Sequence, residues 1–124
     1  MNRLLLASLF AFSSAVAAPA APPVASATIT LTSYRFSPGP IYLAGGVPVR
    51  LILTNRADKT HDFTARKFFR SSRIIGGRAS GGEVTLRGGE TKIIDLVPAR
   101  GTYNVHCGQF GHSMLGMSAT IIVS

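Results

Sequence analysis

The amino-acid sequence predicts an all-β chain, a Greek-key β-sandwich of seven to eight strands. Three observations carry this. Short runs alternate apolar and polar residues with period two, the pattern of a half-buried strand. Clusters of Gly, Pro and Ser separate the runs, and 13 Gly with no Trp suit a turn-rich β chain better than a helical bundle. No periodic segment is long enough to be the helix of a βαβ unit, and no internal repeat is visible. The 124 residues allow one domain at most. That excludes a dinucleotide-binding fold joined to a substrate domain. With 46% hydrophobic and 15% charged residues, the chain is not a disordered tail.

The N-terminus reads as a secretory signal peptide over residues 1–17. Arg3 gives a basic start, and the apolar run at 4–12 is too short to span a bilayer. Ala15, Val16 and Ala17 form an A-x-A cleavage pattern. Cleavage after Ala17 leaves 107 residues and, without Arg3, a formal charge of +7 in place of +8. A periplasmic or secreted location follows. No later apolar run could span a membrane, so no stable membrane insertion is expected, and no Cys lies near the cleavage point to take a lipid. Residues 18–26 are an Ala/Pro-rich spacer, and residues 27–124 form the domain. A chain of that size hides roughly two-thirds of its unfolded surface, enough for one core without crosslinks. The single Cys rules out a disulfide framework within the chain. A monomer is expected.

Residues 27–32 (ATITLT) alternate as a strand until Ser37-Pro38-Gly39-Pro40 breaks the pattern. A short strand at 41–43 ends at Ala44-Gly45-Gly46. Residues 47–54 set Val47, Val49, Leu51 and Leu53 against Pro48, Arg50, Ile52 and Thr54, with Pro48 suited to the strand's start. Residues 61–65 (HDFTA) are another short strand. The stretch 66–73 (RKFFRSSR) has no period two. It reads as a one- or two-turn helix or a loop, with solvated cations and with Phe68 and Phe69 partly buried. Gly pairs at 76–77, 81–82 and 88–89 mark turns. The runs 83–87 and 90–97 flank Gly88-Gly89 and predict a hairpin with a two-residue turn. Residues 101–107 and 118–123 are the last two strands.

Between those two strands the segment 107–117 (CGQFGHSMLGM) holds a thiol, an imidazole and two thioethers on one loop. A tight loop can bring Cys107, His112 and one Met around a single point. His61, at the start of an upstream strand, can supply a second imidazole. Two imidazoles, a thiolate and a weak axial thioether make a trigonal copper site. Thiolate and thioether suit Cu(I), imidazole accepts Cu(II), and a rigid sandwich limits rearrangement between the two states. His106 neighbours Cys107 on a strand, so its side chain points to the opposite face and is not expected to be a ligand. The Gly pairs lack the Gly-Lys-Ser/Thr ending of a phosphate loop. Phe68 and Phe69 among cations give a faint nucleic-acid look, but export argues against it, so no nucleic-acid partner is expected. A Cys–His nucleophile is disfavoured because no obvious Asn or Asp orienter follows and the chain is small for a substrate cleft. The chain is not read as an enzyme.

These residues resemble a small bacterial cupredoxin of the plastocyanin/azurin type. Four stretches carry the resemblance: residues 49–55 (VRLILTN) entering a first ligand loop, His61-Asp62-Phe63, residues 103–107 (YNVHC), and Gly111-His112 through Gly116-Met117 into the final strand. It covers nearly the whole processed chain and is weakest between 67 and 82. The C-x4-H-x4-M spacing becomes specific when joined to an upstream His, an export signal and a single Cys. The resemblance implies one blue-type (type 1) copper cycling between Cu(I) and Cu(II). His61, Cys107 and His112 would be its equatorial ligands. Met117, which directly precedes the last strand, would be axial, with Met114 the competing thioether.

Around the metal the resemblance implies supporting roles for Asn55, Asp62 and Gly108. The family often has Asn where Asp62 stands. An Asp there can accept the Gly108 N–H but cannot donate, and if ionised it favours Cu(II) and lowers the potential. The implied function is an exported copper protein carrying single electrons between redox partners. The alternative is a periplasmic copper-binding, buffering or delivery protein with the same ligands and no electron-transfer role. Phe110, Met114, Leu115 and Gly116 would form a small apolar docking patch around the edge of His112. The positive charge would steer an acidic redox protein or copper acceptor toward it.

Overall fold

The computed structural model describes residues 8–15, 25–109 and 111–124. Arg3, the cleavage residues Val16 and Ala17, most of the Ala/Pro-rich spacer and Phe110 lie outside the described residues. Residues 8–15 hold no helix or strand, and Leu9, Phe10 and Phe12 are exposed.

Two five-stranded sheets follow among the described residues. The strands are β1 (Ala25–Thr32), β2 (Arg35–Ser37), β3 (Ile41–Leu43), β4 (Val49–Asn55), β5 (His61–Thr64), β6 (Arg73–Gly76), β7 (Glu83–Leu86), β8 (Thr91–Val97), β9 (Gly101–His106) and β10 (Ser118–Val123). Among the described residues a single short α-helix, α1 (Arg66–Ser71), lies between β5 and β6. One sheet runs β2-β1-β4-β8-β6, the other β3-β10-β9-β5-β7. The period-two alternation fills the space between them. Ile29, Leu31, Leu51, Leu53, Ile94 and Leu96 point in from the first sheet, and Phe63, Val84, Leu86, Val105, Ile121 and Val123 from the second. Each such side chain contributes about 1.5–3 kcal/mol on full burial.

The sandwich is the predicted one, with three differences in detail. First, β2 and β6 are additional strands. β2 is three residues folded back on β1, with Phe36 opposite Leu31. β6 is an edge strand whose Arg73, Ile74 and Ile75 are exposed, and its register shifts between Ile74 and Gly76. Neither is long enough to show an alternation.

Second, β7 and β8 do not form the predicted hairpin. The turn exists, with the Glu90 N–H donating to the Arg87 carbonyl at 3.0 Å. However, β7 pairs with β5 and β8 pairs with β4, so the turn carries the chain from one sheet to the other. A turn with two central residues serves such a corner as well as a hairpin, and partners distant in sequence decide which forms. Gly88 suits the corner for a further reason: a Cβ there would lie 2.5 Å from the Asp58 carbonyl oxygen.

Third, Phe68 and Phe69 are buried, not partly buried, at 0% and 4% exposure. They anchor α1 through edge-on ring contacts, Phe68 with Tyr103 at 5.5 Å and Phe69 with Phe63 at 6.0 Å. Arg66, Lys67 and Arg70 face solvent.

Strand register brings the chemistry to one end of the sandwich. Leu31 near the end of β1 is opposite Asn55 at the end of β4, and the Arg56 N–H donates to the Leu31 carbonyl at 2.9 Å. His106 at the end of β9 faces Ser118 at the start of β10 on one side and Thr64 on the other. The β1–β2 turn, the β4–β5 loop and the β9–β10 loop therefore share that end.

Candidate metal centre

The β9–β10 loop is closed at its base. The Cys107 N–H donates to the Met117 carbonyl at 3.1 Å, and the Met117 N–H to the His112 carbonyl at 3.2 Å. A 3₁₀ turn at Ser113–Leu115 completes it. This tight closure turns Cys107 and His112 toward each other across five residues. His61, the first residue of β5, enters from the neighbouring strand.

The three side chains converge. Cys107 Sγ lies 3.5 Å from His112 Nδ1 and 3.8 Å from His61 Nδ1, and the two Nδ1 atoms are 3.0 Å apart. All three donor atoms fall within 4.8 Å of one another. Bonds of about 2.0 Å to nitrogen and 2.3 Å to sulfur, typical of a first-row ion, set donors in a trigonal plane about 3.5 Å apart. The observed triangle matches that size. His61, Cys107 and Met117 are fully buried, while His112 is half-buried. Burial raises the Cys107 thiol above its ordinary value, partly offset by the backbone N–H groups of Asp62 and Gln109. Burial, followed by the neighbouring His112, lowers His61. The lowered His61 is a neutral nitrogen donor at neutral pH.

Surrounding groups fix these rings. Ser33 Oγ lies 3.1 Å from His61 Nε2, the ring nitrogen that does not face Cys107. Tyr34 packs edge-on against His112 at 4.9 Å and against His61 at 6.1 Å. The Asp62 N–H donates to Cys107 Sγ at 3.4 Å. The Asp62 carboxylate accepts three bonds: from Gly108 N–H at 2.7 Å, Thr64 hydroxyl at 2.6 Å and Gln109 amide at 2.9 Å. These tie β5 to the β9–β10 loop. A Cβ on Gly108 would come 3.3 Å from Asp62 Oδ2, so the tie needs a small residue.

Asn55 stands one layer further out. Its side-chain amide donates toward the Lys59, Leu86 and Arg87 carbonyls at 2.8–3.1 Å, and its Oδ1 accepts the Ala57 N–H at 3.0 Å. It holds the β4–β5 loop against the β7–β8 turn.

Sequence reasoning had not picked out Ser33, Tyr34, Thr64 or Gln109. Thr64 alone carries a signal, since it is two residues from Asp62 on the same strand and so shares its face. His106 is not part of the donor cluster. Met114 is 90% exposed and Leu115 60% exposed at the crest of the loop, with Gly116 also exposed. Phe110, placed with them in the expected docking patch, lies outside the described residues.

Comparison with known proteins bears on this arrangement. The family model for the cupredoxin-like domain matches residues 2–123. The chain belongs to the cupredoxin-like family. No curated protein sequence matches it. Among solved structures, auracyanin B is similar with a TM-score of 0.60 at 19% identity, covering 84% of this chain and 91% of its own. The auracyanin of the photosynthetic bacterium Roseiflexus castenholzii aligns with a TM-score of 0.61 at 14% identity, covering 83% and 99%. A multicopper oxidase from Campylobacter jejuni aligns with a TM-score of 0.64 at 14% identity over 88% of this chain, which spans only 32% of that oxidase. At these identities the structural likeness concerns the fold.

The donor set of this cupredoxin, two imidazoles, a thiol and a buried thioether, fits a single type 1 copper site. Among the described residues no helix is long and apolar enough to cross a membrane.

Proposed function

We propose that this cupredoxin is an exported single-electron carrier and not an enzyme. The observation that carries the reading is the preassembled triangle of Cys107 and His112 on the β9–β10 loop and His61 at the start of β5. When bound there, copper supplies a one-electron couple between Cu(I) and Cu(II). The chain's own residues do the rest. Cys107 provides the thiolate, and the Asp62 N–H stabilises its charge. With Nδ1 of His61 binding the metal, its Nε2 would carry the proton and donate to Ser33 Oγ, 3.1 Å away. Burial of Met117 against exposure of Met114 supports Met117 as the thioether that would help hold the metal. The bonds across Asp62 hold the ligand loops together, so little of the site moves when charge changes.

His112 is half-buried, and Met114 and Leu115 are exposed on the same loop. A redox partner can approach the ring edge there with little desolvation of charge. The excess of 13 Lys+Arg over 5 Asp+Glu favours an acidic partner. The A-x-A pattern after the apolar run supports export.

Addition of Cu(II) to the purified protein tests the assignment. We expect an intense visible thiolate-to-copper charge-transfer band, lost in Cys107→Ser and kept in His106→Ala. A folded protein with reduced Cys107 and no band would sink the copper reading. Met117→Leu should shift the reduction potential and Met114→Leu should not. Rapid electron self-exchange supports a carrier, whereas slow exchange with ready copper transfer to an acceptor would make it a copper-delivery protein.

A further inference from the structure

The basic stretch at 66–73 has no part in the metal centre, yet it borders an open sheet edge. β9 pairs with β10 along its whole length, from Gly101 opposite Val123 to His106 opposite Ser118. On its other side β9 meets β5 at one pair only, Thr64 with His106, because β5 ends there and the chain turns into α1. Among the described residues, 101–105 have no strand partner on that side. Two adjoining clefts of about 380 Å³ each run between this edge and α1, both lined by Lys67, Thr102 and Tyr103. Arg66, Asn104 and His106 extend one, and Arg70 extends the other. Arg66, Lys67 and Arg70 are exposed, and none has an ion-pair partner among the described residues.

We propose that this groove docks an extended acidic segment of a partner protein. The segment would add as a strand to the free edge of β9, gaining backbone hydrogen bonds. Its alternate carboxylates would meet Arg66, Lys67 and Arg70. Charge complementarity commits the groove to an acidic occupant, since its lining contains three cations and no carboxylate. Its lack of exposed aliphatic side chains favours a peptide over an anionic lipid surface. Lipid binding draws on exposed apolar side chains as well as cations. The clefts contain none, and the exposed Ile74 and Ile75 lie on the other sheet. Because His106 lines the groove and is bonded to Cys107, the docked segment sits one residue from the metal centre. The inference rests on the carrier reading only for the partner's being a redox protein. Docking is read without electron transfer, so either can fail alone.

The test is an amide NMR titration of the ¹⁵N-labelled, copper(I)-loaded protein with a short peptide of alternating Glu and Thr. The largest shifts should fall in α1 and β9. Lys67→Glu/Arg70→Glu should weaken binding about tenfold. Arg87→Glu/Arg100→Glu, with the same change in net charge, should weaken it only about twofold. Both pairs are exposed, and an unchanged amide spectrum elsewhere checks that each variant is folded. Failure to bind overturns the inference, as do shifts scattered over the surface. Equal weakening by the two double variants would reduce the effect to net charge and overturn it too. So would binding of phosphatidylglycerol vesicles through Lys67 and Arg70 with no binding of the peptide, which would make the groove a membrane surface.

Discussion

Ser33 hydrogen-bonds the outward nitrogen of His61 across 28 positions of sequence. Losing that partner frees the imidazole to tilt and to exchange tautomers. Ser33→Ala should therefore lower copper affinity by about 10–100-fold, the usual cost of removing such a support. Ser33→Thr should restore most of it. Competition with a copper chelator measures both, and equal loss in both variants would point to packing and not to the hydroxyl. The titrating groups give a second prediction at this scale. Burial raises Cys107, so the metal-free site holds a protonated thiol near neutral pH. Copper uptake should release about one proton, absent in Cys107→Ser, and affinity should fall as pH is lowered. Burial holds His61 below the ordinary histidine value of 6.5 in the fold. The unfolded chain therefore takes up that proton more readily. The metal-free protein's stability is fully present above pH 6.5 and should decline as pH falls below it, read as a lower urea midpoint.

The Asn55 side chain braces the β4–β5 loop, which presents His61. Asn55→Ala would strip partners from the Lys59, Leu86 and Arg87 carbonyls and from the Ala57 N–H. We expect a loss of about 1–3 kcal/mol in urea unfolding, together with weaker copper binding, because buried polar groups left unpaired carry that cost. Asn55 was legible as the residue that ends β4 and enters the ligand loop. Its bonds run to loop and turn backbone, which only the crossing of β7–β8 beneath the loop brings close. The same crossing explains the missing hairpin. Both strands read correctly from alternation, but pairing depends on neighbours far along the chain. α1 was legible as a break in period two, read as a one- or two-turn helix or a loop, but the burial of both its rings was not.

Copper binding couples the site to the whole molecule. A ligand that binds only the folded state at a hundred times its Kd adds about 2.7 kcal/mol. Copper should raise Tm by several degrees in calorimetry, and a chelator should reverse the rise. Cys107→Ser should show little of the shift. The residues that converge in the structure, His61, Cys107 and His112, and the buried Met117 were singled out from residue chemistry, spacing and family resemblance, and the two-layer β architecture was readable from alternation. Residue type and period are local properties, so they survive in a one-dimensional string. The Gly108 bond to Asp62 was anticipated, whereas the support of His61 by Ser33, the Gln109 bond to Asp62, the sheet membership of β7 and β8, and the open edge of β9 beside α1 were not readable. Each depends on which distant segments become neighbours, and the packing of the two sheets decides that.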